Sequence, residues 1–330
     1  MKILFWGGIR INNGPGNINK GIVSNFTDSF LYAAGPNKYL ELADALGKLI
    51  CADVVVVSGV SRQGAILVRA AKLLGKRSVY LMHGCAEQEY KLNGRKPDEK
   101  GLAHEACLMD KTDLILTVSQ RYMHWVREVY PRYAEKVDYV YNGVNAEIFG
   151  RKTTGRRNPR EVAVCGGLAP LKNNMTVAKA VEALGGTAEL TVYGHAKKSH
   201  VAAYRFTQCA GKLENADFLD RLSGTSLFVL NSLLESFSSA TLEALACGCS
   251  LLVSERAGVC DLLALEETDI IHDPMDVEEI RRKIEYLLEH PNHQRLYDAF
   301  DPEEWSFEKM VLRLEDKCRL LLENRCPQSR

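Results

Sequence analysis

Several absences narrow what this chain can be. No apolar run among its 330 residues approaches the ~18 that a membrane-spanning helix needs. The N-terminus enters a strand pattern directly, without the charged and apolar regions of a leader, so a soluble, cytoplasmic protein is expected. Neither sign of charge is in excess. The 42 Lys and Arg stand against 42 Asp and Glu, and no global field draws the chain to nucleic acid or membrane. Ten cysteines contain no C-x2-C pair, and Cys247 and Cys249 are too close together for a usual zinc knuckle. Free thiols in a reducing compartment are expected instead. A nicotinamide-dependent oxidoreductase would carry G-x-G-x-x-G straight after its first strand. Here the run is Gly14-Pro15-Gly16-Asn17-Ile18-Asn19, with asparagine where the third glycine belongs.

What the chain does have is a regular alternation of strand and helix. Apolar runs rich in β-formers fall at residues 2–6, 29–33, 53–58, 78–82 and 113–118, with amphipathic helix patterns such as 39–50 and 63–74 between them. That order predicts a parallel, doubly wound sheet, which collects ligands at the carboxyl ends of its strands. Residues 150–160, GRKTTGRRNPR, turn polar and basic and read as a linker. A second alternating unit follows, with strands near 161–165, 188–193, 226–230 and 250–253. From Trp305 on, Val311, Leu314, Cys318 and Leu321 recur at steps of three and four, the pattern of an amphipathic helix. The expected division is therefore 1–150, 151–304 and 305–330.

One stretch organises the rest: residues 231–248, NSLLESFSSATLEALACG. A buried strand delivers the chain to a loop holding Glu235, Ser236, Phe237, Ser238 and Ser239. A helix then begins, carrying Glu243, and Gly248 stands where it should stop. Free backbone amides at a helix N-terminus favour a phosphate, and carboxylates accept hydrogen bonds from sugar hydroxyls. These are the needs of a nucleotide sugar. A capped surface helix with two solvated glutamates is the plainer alternative for the same residues.

The segment resembles the E-x7-E signature of retaining GT-B glycosyltransferases, glycosyltransferase family 4 in particular. Its run EALACGCSLLVSERAGVCDLL is similar to that family's continuation of the motif. Further resemblances run in order along the chain. Gly16 and Asn17 match a glycine-rich loop that faces the diphosphate in the family, though a plain turn reads the same way. His83, before Gly84 at a strand end, matches the residue that contacts the donor sugar, where a lone histidine is more often a structural hydrogen-bonder. Ser119 fits both the family's strand end and an ordinary N-cap. The run Tyr139-Val140-Tyr141-Asn142-Gly143-Val144, with Phe149, resembles the junction at which family members leave the first domain. Cys165-Gly166-Gly167 through Lys172-Asn173 resembles the stretch whose arginine and lysine neutralise the leaving diphosphate. Gly194 resembles the strand-end glycine that approaches the nucleotide, and the stretch around Gly211 and Leu213 the backbone that reads the base.

The resemblance implies an α/β, GT-B fold: two Rossmann-like domains facing each other across a cleft, with a C-terminal helix crossing back to the first. It implies transfer of a hexose-type sugar from a UDP- or GDP-sugar to a glycan or lipid-linked acceptor, with retention, in bacterial surface polysaccharide or glycoconjugate synthesis. Glu243 would bind ribose, Lys172 with the Ser236–Ser239 amides the diphosphate, and Glu235 and His83 the sugar. No D-x-D triplet stands at a strand end, in line with chemistry that needs no metal or other cofactor. Basic residues at 91–100 and 121–136 are a solvated face or a patch for an anionic acceptor or the inner membrane face. Two departures bear on activity: Gly167 occupies the arginine position, with Arg62 and Lys197 as replacement cations, and Ser236 and Ser238 replace two glycines. A catalytically weak nucleotide-sugar-binding partner of another transferase is the alternative.

Overall fold

The computed structural model describes residues 1–10, 14–150 and 157–323. The chain divides into two compact units: Met1–Lys91 with Arg95–Asn145 and the chain from Glu303 on, and Leu92–Gly94 with Ala146–Pro302.

The first unit is built on strands β1 (Ile3–Trp6), β2 (Phe30–Tyr32), β3 (Val54–Ser58), β4 (Arg77–Met82), β5 (Leu114–Thr117) and β6 (Val137–Tyr139). They form one sheet in the order β2-β1-β3-β4-β5-β6, and every pairing is parallel. The Val54–Val57 run is wholly buried, as a central strand covered on both faces requires. Its helices are α1 (Gly14–Ser24), α2 (Lys38–Cys51), α3 (Arg62–Leu73), α4 (Ala86–Leu92), α5 (Glu99–Lys111) and α6 (Gln120–Val129). Short polar side chains start several of them. Asn37 accepts from the Tyr39 and Leu40 amides, Ser61 from Gly64 and Ser119 from Tyr122, each satisfying an otherwise orphaned N–H.

A C-terminal helix, Phe307–Glu323, completes this unit, burying Met310, Val311, Leu314 and Cys318. Its entry is fixed by a glycine pair. A β-carbon at Gly21 or at Gly143 would overlap the Phe307 ring, so both must lack one. Further along, Glu315 accepts from the Thr27 and Ser29 hydroxyls, each at 2.8 Å.

The second unit repeats the plan with β7 (Asn158–Val164), β8 (Glu189–Tyr193), β9 (Thr207–Gly211), β10 (Thr225–Leu230), β11 (Ser250–Ser254) and β12 (Ile270–Ile271). The order is β12-β11-β10-β7-β8-β9, again parallel throughout. Its helices are α7 (Asn174–Ala183), α8 (Asn215–Ser223), α9 (Ser239–Ala246), α10 (Val277–Glu289) and α11 (His293–Ala299). Val162, Val164, Leu190, Val192, Leu227 and Val229 from the sheet pack with Val177 and Val181 of α7 and Ile280 and Ile284 of α10.

Three sequence expectations need correction. The glycine-rich stretch after β1 is not a loop throughout: from Gly14 it is helix α1, with Pro15 in the first turn, where its missing N–H costs nothing, and Ile18 and Ile22 buried one turn apart. Of the linker at 150–160, residues 151–156 lie outside the described residues, and Asn158 to Arg160 already belong to β7. The edge strands β9 and β12 and the short β6 have no expected counterpart. β9 reads TQCAG and is never fully buried, so it lacks the apolar run that marks a parallel strand.

Candidate functional site

In an open parallel sheet, ligands gather where the strand order reverses. The second unit reverses between β7 and β10, and the residues after these two strands meet. The backbone amide of Leu233 donates to the Leu171 carbonyl at 2.9 Å. Asn231 is fully buried, and its side-chain nitrogen donates to the carbonyls of Asn173 at 3.3 Å and Pro274 at 3.0 Å. These bonds bring Lys172, from the β7 loop, onto Glu235, from the β10 loop, as an ion pair between Nζ and Oε2. Glu235 is held at its main chain on both sides: its N–H donates to Arg256 at 3.3 Å, and its carbonyl accepts from Gly258 at 3.0 Å. The Ser232 hydroxyl adds a contact to Oε2 at 3.4 Å.

Glycines make the room. Gly166, Gly167 and Gly194 all have positive φ, at 87°, 68° and 109°. A β-carbon at Gly166 would stand 2.8 Å from the Lys172 Cγ, and one at Gly194 2.7 Å from the Gly167 nitrogen. A β-carbon at Gly167 would overlap the His195 carbonyl. The arginine position is thus filled by main chain, and an arginine side chain does not fit there without a backbone shift. Of the two replacement cations considered, Arg62 opens α3 in the first unit, and Lys197 is exposed beyond β8 in the second.

Ser238 has φ 87° and ψ 81°, a left-handed conformation natural to glycine and strained for serine. Its hydroxyl lies 2.9 Å from the Thr241 hydroxyl, and it makes no side-chain cap to α9. The Phe237 side chain is buried in the core, so this residue can offer a ligand only its main chain. Ser239 begins α9 and is exposed, while Ser236 is half-buried. The helix ends in a Schellman motif. Gly248, at φ 87°, donates to Leu245, and Cys249 to Ala244, both at 2.9 Å.

Glu243 lies within α9, and Asn215 at the start of α8 donates to its Oε1 at 3.1 Å. Burial raises its pKa above the usual carboxyl value, and the Asn215 bond opposes that shift. Cys165 is pushed up to about 11, chiefly by burial, and its thiol also feels Lys172, Glu235 and Glu243. All four side chains therefore sit within electrostatic reach of one spot. Gly194 donates to the Gly211 carbonyl at 2.8 Å, which joins the ends of β8 and β9, and Leu213 follows half-buried.

The remaining candidates lie in the first unit. Gly16 and Asn17 stand in the first turns of α1 rather than in the loop expected for them, Gly16 buried and Asn17 exposed. His83 follows β4, with Nε2 at 2.7 Å from the Ser58 hydroxyl. Burial lowers its pKa to about 4, so the ring is neutral at pH 7. Sequence reading missed the partners. Asn19, Ser58, Asn215 and Asn231 are ordinary polar residues, and only the fold shows what each one holds. Among the described residues, no helix is long and apolar enough to cross a membrane.

The two sheets define the class: two Rossmann-like units of the GT-B fold. The family model for "Glycosyltransferase Family 4" matches residues 20–148, and that for "Glycosyl transferases group 1" residues 147–300. The chain belongs to the family 4, group 1 glycosyltransferases. Among solved structures it is similar to Anabaena Alr3699/HepE in complex with UDP and glucose, with TM-score 0.72 and 14% identity over 97% of this chain and 100% of that one. It is also similar to a Rickettsia africae glycosyltransferase, with TM-score 0.68 and 12% identity over 98% and 99% of the two chains. The lipopolysaccharide outer core galactosyltransferase WaaB gives TM-score 0.64 and 14% identity over 97% and 99%. No curated protein sequence matches the chain.

Proposed function

We propose that this chain moves a hexose-type sugar from a UDP-sugar to an acceptor hydroxyl, with retention and without a metal ion. The observation that carries the reading is the cluster around the β7–β10 switch point, with Lys172, Glu235, the start of α9 and Glu243 together. In this reading Lys172 and the amides of Ser236 to Ser239 hold the diphosphate. Charge grows there as the bond to the sugar breaks, and a fixed cation is worth about 3–4 kcal/mol by analogy with single donors in oxyanion sites. Glu243 accepts from the ribose hydroxyls, and the main chain at Gly194, Gly211 and Leu213 lines the nucleotide. Glu235 leaves Lys172 and takes a sugar hydroxyl, and the family resemblance assigns His83 to the donor sugar and Gly16 and Asn17 to the diphosphate. The leaving phosphate oxygen accepts the acceptor's proton, so no protein base is required.

UDP is favoured over GDP because the solved relative from Anabaena holds UDP and glucose. The likeness to a lipopolysaccharide galactosyltransferase supports a glycan or lipid-linked acceptor, surface polysaccharide synthesis, and work in the cytoplasm at the inner membrane face. In this scheme the first unit binds the acceptor and the second the donor.

The second reading, a weak or inactive nucleotide-sugar-binding partner, draws on Gly167, where main chain has replaced the diphosphate arginine. Incubating the chain with UDP-hexoses and glycan acceptors, with and without EDTA, separates the two. The transferase reading expects turnover unchanged by EDTA and an α-linked product from an α-linked donor. Tight UDP binding without turnover would favour the partner reading.

A further inference from the structure

Two segments of the second unit frame the Lys172–Glu235 ion pair, and a histidine ring ties them together. Residues 255–258 follow β11, and there the Arg256 carbonyl and the Gly258 N–H hold the Glu235 main chain at 3.3 and 3.0 Å. Residues 272–274 follow β12. The Pro274 carbonyl accepts from Asn173, the neighbour of Lys172, at 2.5 Å and from Asn231 at 3.0 Å. Main chain links the edges of the two segments, from the Glu255 N–H to the Ile271 carbonyl at 3.0 Å. His272 adds a side-chain link. Its Nδ1 lies 2.9 Å from Glu255 Oε2, and its Nε2 2.7 Å from Glu267 Oε1 in the short turn Glu267–Asp269. From α10, Glu279 accepts from the His272 N–H at 3.0 Å, and Lys283 stands 3.1 Å from Glu279 and 3.7 Å from Glu267. A carboxylate only accepts, so the two ring contacts need a hydrogen on each nitrogen, and only the imidazolium carries both. The bonds to Glu255 and Glu267 hold the pKa of the ring above its ordinary 6.5, with partial burial and Lys283 opposing. Below pH 6.5 both contacts are whole. As pH rises through the folded-state value, one nitrogen turns a lone pair toward a carboxylate, and that contact must open.

We propose that His272 is a positioning residue: a charged clasp that sets the spacing of Lys172 and Glu235 and loosens when the ring loses its proton, so that a donor diphosphate is gripped less well in mildly alkaline solution. The diphosphate half of this rests on the transferase reading; the clasp half does not.

Nitrogen-15 NMR of the histidine rings tests the clasp on the full chain, with His272 assigned by its loss in His272→Gln. The ring should titrate above pH 6.5, and Glu255→Gln should bring that titration back toward the ordinary value. Calorimetry with UDP-glucose, whose diphosphate keeps its charge from about pH 6 to about pH 8.5, tests the grip. Wild type should lose affinity about two- to fivefold across that range, the size of an exposed ion pair. His272→Arg stays charged and should keep the tighter value throughout, while His272→Gln should show the weaker value throughout. A merely structural role would leave the two variants alike. A ring that titrates at or below pH 6.5, or a pH step that survives in both variants, would overturn the proposal. If UDP-glucose does not bind at any pH, the transferase reading fails, while the NMR titrations of wild type and Glu255→Gln still decide the clasp.

Discussion

In the first unit the strand order reverses between β1 and β3, and in the second between β7 and β10. Each reversal opens a crevice at the carboxyl ends of its strands, yet the two are furnished in opposite ways. The first holds a neutral relay, Asn19 to Ser58 to a histidine kept uncharged by burial. The second holds an ion pair, Lys172 with Glu235, beside glycines in left-handed conformations and one strained serine. A neutral ring suits an uncharged, hydroxyl-bearing ligand, and a fixed cation suits a diphosphate. The same topological rule therefore yields two chemistries, chosen by the few residues that follow each strand.

Restoring the family arginine should break the second crevice most severely. Gly167→Arg puts a β-carbon into the His195 carbonyl at a backbone φ of 68°, and a loss of several kcal/mol in stability is expected by denaturant titration. Lys172→Ala should act on function instead. A drop of roughly 10²–10³ in kcat/KM is expected from steady-state kinetics, with little change in melting temperature, since the pair it breaks keeps some exposure.

The first crevice should respond to pH. The folded-state pKa of His83, about 4, lies below the unfolded value of 6.5. The unfolded chain therefore takes up a proton that the folded chain refuses. Stability is at its full value above pH 6.5 and falls as pH drops toward 4, by about 3 kcal/mol from this group. His83→Gln should flatten that slope by one proton in unfolding measurements across the window. The smallest effect sharpens the comparison from the other side: Ser238→Gly should stabilise the chain by about 1 kcal/mol through relief of the left-handed serine.

Much of this was legible in the residues. The central strands announce themselves because a covered parallel sheet needs unbroken apolar runs, and Gly248 closes α9 where a left-handed residue was required. Glu235 and Glu243 could be picked out by type and spacing, and Lys172 by the resemblance of its stretch to the family's. Other features could not. Helix α1 hid behind three glycines because its stability comes from Ile18 and Ile22 packing inward, a tertiary effect that outweighs propensity. The Asn19–Ser58, Ser58–His83, Asn215–Glu243 and Asn231–Asn173 pairs join residues 25 to 58 positions apart. Nothing local in a sequence marks such pairs. The same is true of Gly167, whose neighbour His195 comes from the next strand's end.

The central claim is that the second unit holds a nucleoside diphosphate between Lys172 and Glu243. The most direct test is a thermal-shift panel of UDP, GDP, ADP and dTDP on wild type, Lys172→Ala and Glu243→Ala. At ~100 times its dissociation constant a ligand should add ~2.7 kcal/mol of stability. The account predicts that UDP raises the melting temperature of wild type and that both substitutions abolish the rise. No shift from any nucleotide, or an equal shift in all three proteins, would contradict it.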